Sequence, residues 1–226
     1  MAPPPSPSPA VVLVDAVALS GRFPLLAGAN VTIPAGQSVL VEGANGAGKT
    51  SLLRVMAGLI RLESGGISVL GLDPVAERRL LRRRIGLLGH ASHLYDDLTV
   101  AENLRFAVRA AGGDVARIPA ACERWGLVGR LGKTGTGKLS AGQRRRVALA
   151  IHTARWPELW LLDEPHAGLD AEARVLLDGL IAEAAASGVT VVVASHEVEL
   201  VEPLVTRAVT VAGGRVVAER EVAHVG

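Results

Sequence analysis

Gly43-Ala44-Asn45-Gly46-Ala47-Gly48-Lys49-Thr50 fits the pattern G-x-x-x-x-G-K-[ST] at every constrained position. Glycines let a backbone curl until successive N–H groups point inward at phosphate oxygens. Ser38–Val41 before the loop reads as an apolar strand, and Lys49–Leu59 after it has helical spacing, with Leu52, Leu53, Met56 and Leu59 on one side. Strand, loop and helix therefore follow one another as a phosphate cradle requires, and the helix start adds positive potential. Lys49 is placed to reach β- and γ-phosphates, the Thr50 hydroxyl to ligate Mg²⁺, and Ser51 to complete the site. Gly132-Lys133-Thr134 also spells G-K-T, but Leu127 stands where the first glycine belongs, so that stretch reads as a loop.

Outward from this loop the chain alternates strand and helix. Val11–Asp15 and Asn30–Ile33 are short β-branched stretches separated by turn residues that include Gly21, Pro24 and Gly28. Gly65-Gly66 reads as a break before a strand at Ile67–Leu70. Between about His90 and Lys138 the pattern turns helical (Val100–Ala111, Asp114–Trp125), which predicts an inserted helical lobe over about 90–140. Alternation then resumes with a helix at Ala141–Ala154, a strand at Leu159–Leu162, a helix at Ala171–Ala186 and a strand at Val189–Ala194. Ala208–Val211 and Arg215–Ala218 close the domain around Gly213-Gly214. Continuous apolar strands alternating with helices imply a buried, mostly parallel sheet covered by helices.

Two further strand ends carry chemistry. Leu159–Leu162 runs into Asp163-Glu164, which puts both acids at the carboxyl edge of the sheet, where open α/β sheets bind ligands. Asp163 suits a contact to Mg²⁺, and Glu164 a general base for an attacking water. Val189–Ala194 ends in Ser195-His196-Glu197, which brings His196 to the same edge, within reach of a γ-phosphate.

Composition narrows the class. The chain has 226 residues, 49% of them apolar, enough for one well-buried domain at residues 11–226. Lys and Arg total 24 against 22 acids, and aromatics are 3%, so neither a polycationic surface nor a base-stacking platform for nucleic acid is indicated. Cys122, the single cysteine, excludes an internal disulfide and sits on an apolar helical pattern. No apolar run approaches the ~18 residues of a membrane span. The Pro/Ser-rich Met1–Ala10 has neither a basic leader nor an apolar core and is expected to be a disordered tail.

Leu139-Ser140-Ala141-Gly142-Gln143, followed by three arginines, closely resembles the signature sequence of ABC transporter ATPases. Physically, Ser140 is a natural N-cap and Gly142 leaves room at the helix start. The resemblance spans residues 11 to 220. It implies a P-loop NTPase fold of the RecA-like kind: a mostly parallel sheet flanked by helices, with an N-terminal antiparallel β part and an inserted helical subdomain. It also implies ATP and Mg²⁺, a head-to-tail dimer of like or related subunits, and a membrane-spanning permease partner at the cytoplasmic face of a bacterial membrane. In that dimer Lys49 and Thr50 of one cassette and Ser140 and Gly142 of the other grip each ATP. Asp170, in Gly168-Leu169-Asp170, matches the loop lining the seam, and His196 the switch histidine.

Departures from the family pattern are few. Ala141 stands where glycine is usual, His166 where Ser or Thr is common, and no glutamine follows His90. Phe23, the one aromatic before the loop, is the candidate for stacking on adenine, with a core role as the alternative reading. Leu88-Gly89-His90, Leu98-Thr99, Glu102-Asn103-Leu104-Arg105-Phe106 and Leu-Ser-Ala-Gly-Gln together look like the haem exporter ATPases of cytochrome c maturation. An ATPase of another exporter (drug, lipid or small molecule) and a non-transport regulatory cassette are the alternatives. His90, His93 and Cys122 are not assigned to haem.

Overall fold

The structure, a computed structural model, describes residues 8–223. The first half of the chain runs β1 (Pro9–Ser20), β2 (Phe23–Pro34), β3 (Ser38–Glu42), α1 (Lys49–Met56), β4 (Ser64–Val69), α2 (Arg78–Arg84), β5 (Ile85–Leu88), α3 (Val100–Ala110) and α4 (Ile118–Arg124). The second half runs α5 (Ala141–Arg155), β6 (Leu159–Asp163), α6 (Ala171–Ala186), β7 (Thr190–Ala194), α7 (Val198–Val201), β8 (Arg207–Ala212) and β9 (Arg215–Glu221).

The central sheet has the order β5-β6-β7-β3-β8-β9, parallel except for β9. Its inner strands β6 and β7 are buried at every position and apolar at all but Asp163 and Thr190, because both faces are covered. Leu40, Trp160, Leu162, Val191 and Val193 point to one side, packing with residues of α3, α4, α5 and α6. Val39, Val41, Leu159, Leu161 and Val192 point to the other, against Leu52, Leu53 and Met56 of α1 and the second sheet. That second sheet is antiparallel, in the order β2-β1-β4.

Several boundaries differ from the sequence reading, each for a physical reason. Residues 1–7 of the expected tail lie outside the described residues, while Pro9 and Ala10 already belong to β1. Gly65 and Gly66 do not break the chain but lie within β4, where Gly66 pairs with Val14 and Gly65 stands opposite a β1 bulge at Asp15 (φ 46°). A Cβ on Gly65 would stand 2.3 Å from the Asp15 carbonyl oxygen, so glycine permits the close approach. α1 stops at Met56 because the chain turns at Gly58 (φ 66°), whose missing Cβ clears the Pro74 carbonyl. The expected helix at Asp114–Trp125 is a 3₁₀ turn, Val115–Arg117, followed by α4 with Pro119 in its first turn, the one place a helix tolerates proline. Gly132-Lys133 falls in a 3₁₀ turn at Leu131–Lys133.

Candidate nucleotide and catalytic site

The phosphate loop owes its shape to glycines at positive φ: Gly43 (145°), Gly46 (78°) and Gly48 (115°). At Gly43 a Cβ would meet the Val211 carbonyl oxygen at 2.2 Å, so the neighbouring strand as well as the loop demands glycine there. Gly214 donates from its amide to Ala47 at 2.8 Å, tying the β8–β9 turn under the loop. Lys49 is buried, and its Nζ donates to the carbonyls of Gly43 (2.7 Å) and Ala44 (3.3 Å). The Thr50 hydroxyl donates to Asp163 Oδ1 at 3.1 Å. Burial pushes the Asp163 carboxyl above its usual range, and the Thr50 hydrogen bond opposes that.

Glu164 follows β6 in a left-handed conformation (φ 46°) that non-glycine residues rarely adopt. Its amide donates to the Ala194 carbonyl at 2.8 Å, so β7 holds the turn. Its carboxylate accepts from the Ser195 hydroxyl (3.1 Å) and the His196 amide (3.1 Å), with the His196 ring Nδ1 2.8 Å from Oε1. Three strand ends therefore deliver Lys49, Glu164 and His196 to one edge, as the sequence pattern predicts. A cleft of about 350 Å³ beside them is lined by Pro24, Leu25, Asn45, Gly46, Gly48, Lys49, Thr50, Ser51 and Glu164. A larger cleft of about 540 Å³ opens beside β9, but it offers no phosphate loop. Phe23 is 78% exposed at the start of β2, next to the lining residue Pro24, which rules out its core reading.

The signature residues lie elsewhere on the chain. Ser140 caps α5 by a capping box: its hydroxyl accepts from the Gln143 amide at 3.2 Å, and Gln143 Oε1 accepts from the Ser140 amide at 3.0 Å. None of Leu139, Ser140, Ala141, Gly142 and Gln143 lines the cleft. A Cβ on Gly142 would come within 2.9 Å of the Gly168 carbonyl oxygen, so this glycine also lets the helix start approach the 168–170 loop of its own chain. Asp170 caps α6 through the Ala173 amide (2.9 Å) and takes both carboxylate bonds of Arg146 at 2.8 Å.

Sequence reasoning missed Arg145. Three consecutive arginines on a helix point in three directions, about 100° apart. Arg144 reaches Asp96 and Arg146 reaches Asp170, whereas buried Arg145 turns inward to main-chain carbonyls around Glu164. The contact between Ser195 and Glu164 was also unread. His166 is buried, with its ring Nε2 2.7 Å from Asp178 Oδ1 of α6. Burial raises the Cys122 thiol, in line with a core residue, and His90 and His93 are exposed. Among the described residues no cluster of His, Cys, Asp or Glu could by itself hold a metal ion.

A family model described as "ABC transporter" matches residues 26–167. The chain belongs to that family. Among its relatives are three cytochrome c biogenesis ATP-binding export proteins named CcmA. The one from Bordetella bronchiseptica is 42% identical over 178 residues, covering 78% of this chain and 77% of the relative. That from Rhodopseudomonas palustris is 44% identical over 176 residues (78% and 86%), and that from Xanthomonas oryzae pv. oryzae 36% over 206 (90% and 94%). Among solved structures, an ATP-binding subunit of an ABC transporter superposes with TM-score 0.88 at 25% identity, over 94% of this chain and 90% of the other. A dimeric ATP-binding cassette in a post-hydrolysis state with ADP and Pi has the same fold, with TM-score 0.81 at 24% identity, covering 95% and 99%. This ABC family member is an ATP-binding, ATP-hydrolysing transporter subunit. No helix of the described residues is long and apolar enough to cross a membrane.

Proposed function

We propose that the chain drives export through a separate membrane-spanning subunit, serving haem handling in cytochrome c maturation from the cytoplasmic face of the membrane. The carrying observation is the meeting of the Lys49 loop with Glu164, Ser195 and His196 at one sheet edge. The names of the CcmA relatives and the Leu-Ser-Ala-Gly-Gln and Gly-His variants support the subfamily.

In this reading residues 43–51 bind the ATP phosphates, with loop amides and Lys49 as donors, and Phe23 at the rim of the cleft stacks on adenine. Lys49, whose ammonium rests on its own loop's carbonyls, exchanges them for phosphate oxygens. The Thr50 hydroxyl and Asp163 carboxylate form an oxygen donor pair that fits Mg²⁺, which supplies charge neutralisation at the phosphates when bound. Glu164 orients a water and accepts its proton as the water oxygen attacks the γ-phosphorus. The bond to the bridging oxygen breaks, leaving ADP and phosphate. Ser195 and the His196 amide hold the carboxylate, and the His196 ring is placed to swing from Glu164 to a γ-oxygen.

Ser140, Ala141 and Gly142, away from the chain's own cleft, complete the site of a second cassette, and Asp170 lines the seam. Purifying the tagged chain from membranes and identifying its companions tests the assignment. Haem-handling membrane subunits are the expected result; a drug or lipid exporter subunit contradicts the subfamily.

A further inference from the structure

Taking Glu164 as the hydrolytic base, we propose that Arg145 is a positioning residue that fixes the Glu164 backbone and ties it to the signature helix. Its guanidinium is buried, with 7% of the residue exposed, yet it bonds no carboxylate. Instead Nη2 donates to the carbonyls of Asp163 (3.0 Å) and Glu164 (2.6 Å), Nε to Pro165 (3.3 Å) and Nη1 to Gly89 (2.6 Å). One planar fork thus spans three successive peptides around the acid and the segment leaving β5.

The arrangement has a purpose that charge pairing would not serve. Arg144 and Arg146 take exposed carboxylates, contacts that fix little. Arg145 spends its rigid donor geometry on main chain. A left-handed glutamate persists only where surrounding contacts over-determine it. Here β7 holds the Glu164 amide and Arg145 its carbonyl, so the two together set where the carboxylate points. Burial lowers the pKa of Arg145, while the nearby charges of Asp163 and Glu164 act to raise it.

The position on α5 carries the consequence. Ser140 caps the same helix that bears Arg145, and Gly89 lies in the segment leaving β5. A shift of α5 by a second cassette's nucleotide, or of the 89–90 segment, moves the guanidinium and with it the peptide of Glu164. Arg145 therefore joins the face that serves another cassette to the acid serving the chain's own ATP.

Arg145→Lys keeps the charge but loses the fork, and Arg155→Lys is its control. Arg155, at the other end of α5, also donates to carbonyls, those of Arg82 (3.0 Å) and Ile85 (2.9 Å), far from the acids. The expected result for Arg145→Lys is a kcat lower by about 10- to 100-fold, the scale of a misplaced catalytic group. Its nucleotide affinity, measured with a fluorescent ATP analogue, should stay within about 2-fold. Arg155→Lys should melt earlier at unchanged kcat. If Arg145→Lys is insoluble, Arg145→Gln, which spans fewer carbonyls, is expected to give the same split. Unchanged kcat in the soluble variant overturns the proposal, as does a loss of affinity equal to the loss of kcat. Absence of turnover in the unaltered chain takes down the hydrolytic reading and this inference with it.

Discussion

The two ends of α5 solve the same problem with opposite outcomes. At its start, on the carboxyl edge of the sheet, Arg145 grips carbonyls around a left-handed glutamate beside an open cleft. At its end, on the amino edge, Arg155 grips Arg82 and Ile85 beside His152, Trp156 and Trp160, which pack edge to face. Burial shifts the ionisation of groups at both edges, but only the carboxyl edge couples buried charge to an accessible acid. The amino edge buries a neutral imidazole. His152 Nδ1 contacts the Ala148 carbonyl at 3.1 Å, and desolvation pushes its pKa down to about 4. Strand direction explains the division: peptide chemistry and helix starts gather at one edge, and the other is free to be only a core.

The largest effect is expected from Glu164→Gln at the carboxyl edge. Loss of the base is expected to slow ATP turnover by about 10²- to 10⁴-fold, with ATP binding retained, as checked by phosphate release and nucleotide binding on one preparation. A smaller effect is expected at the amino edge and in stability alone. His152 has a folded pKa of about 4 against 6.5 for the free side chain. Its depressed value makes its stabilising contribution complete above pH 6.5 and lost as pH falls from 6.5 towards 4, up to about 3 kcal/mol. Melting curves across that window should show the slope, and His152→Gln, which does not titrate, should flatten it without touching kcat near neutrality. The smallest effect is local. Ser140→Ala removes the capping bond of α5 and should cost about 1 kcal/mol in chemical unfolding.

What could be read in the chain, and what could not, follows the same division. The phosphate loop, Asp163-Glu164 and the Leu139–Gln143 stretch were legible because each chemistry needs contiguous residues in fixed order. The parallel sheet was legible from apolar strands alternating with helices. Arg145 was not: in sequence it is one of three arginines, and its direction depends on helical rotation and on carbonyls some twenty and fifty-six positions away. α2 and β5 were hidden too, one by its run of arginines, of which Arg84 pairs with Glu158, and the other by its four-residue length. Gly65-Gly66 misled because a glycine pair marks a turn and a close strand crossing equally well.

The cleft of one chain contains Lys49 and Glu164 but not Ser140, so in the proposed dimer a single chain holds half of each site. Light scattering on Glu164→Gln with Mg²⁺ and ATP tests it most directly. A species of twice the 23.4 kDa chain mass is expected, reverting to one chain when ATP is removed. A 23.4 kDa monomer under saturating ATP, with the unaltered chain turning over normally at the same concentration, would contradict it.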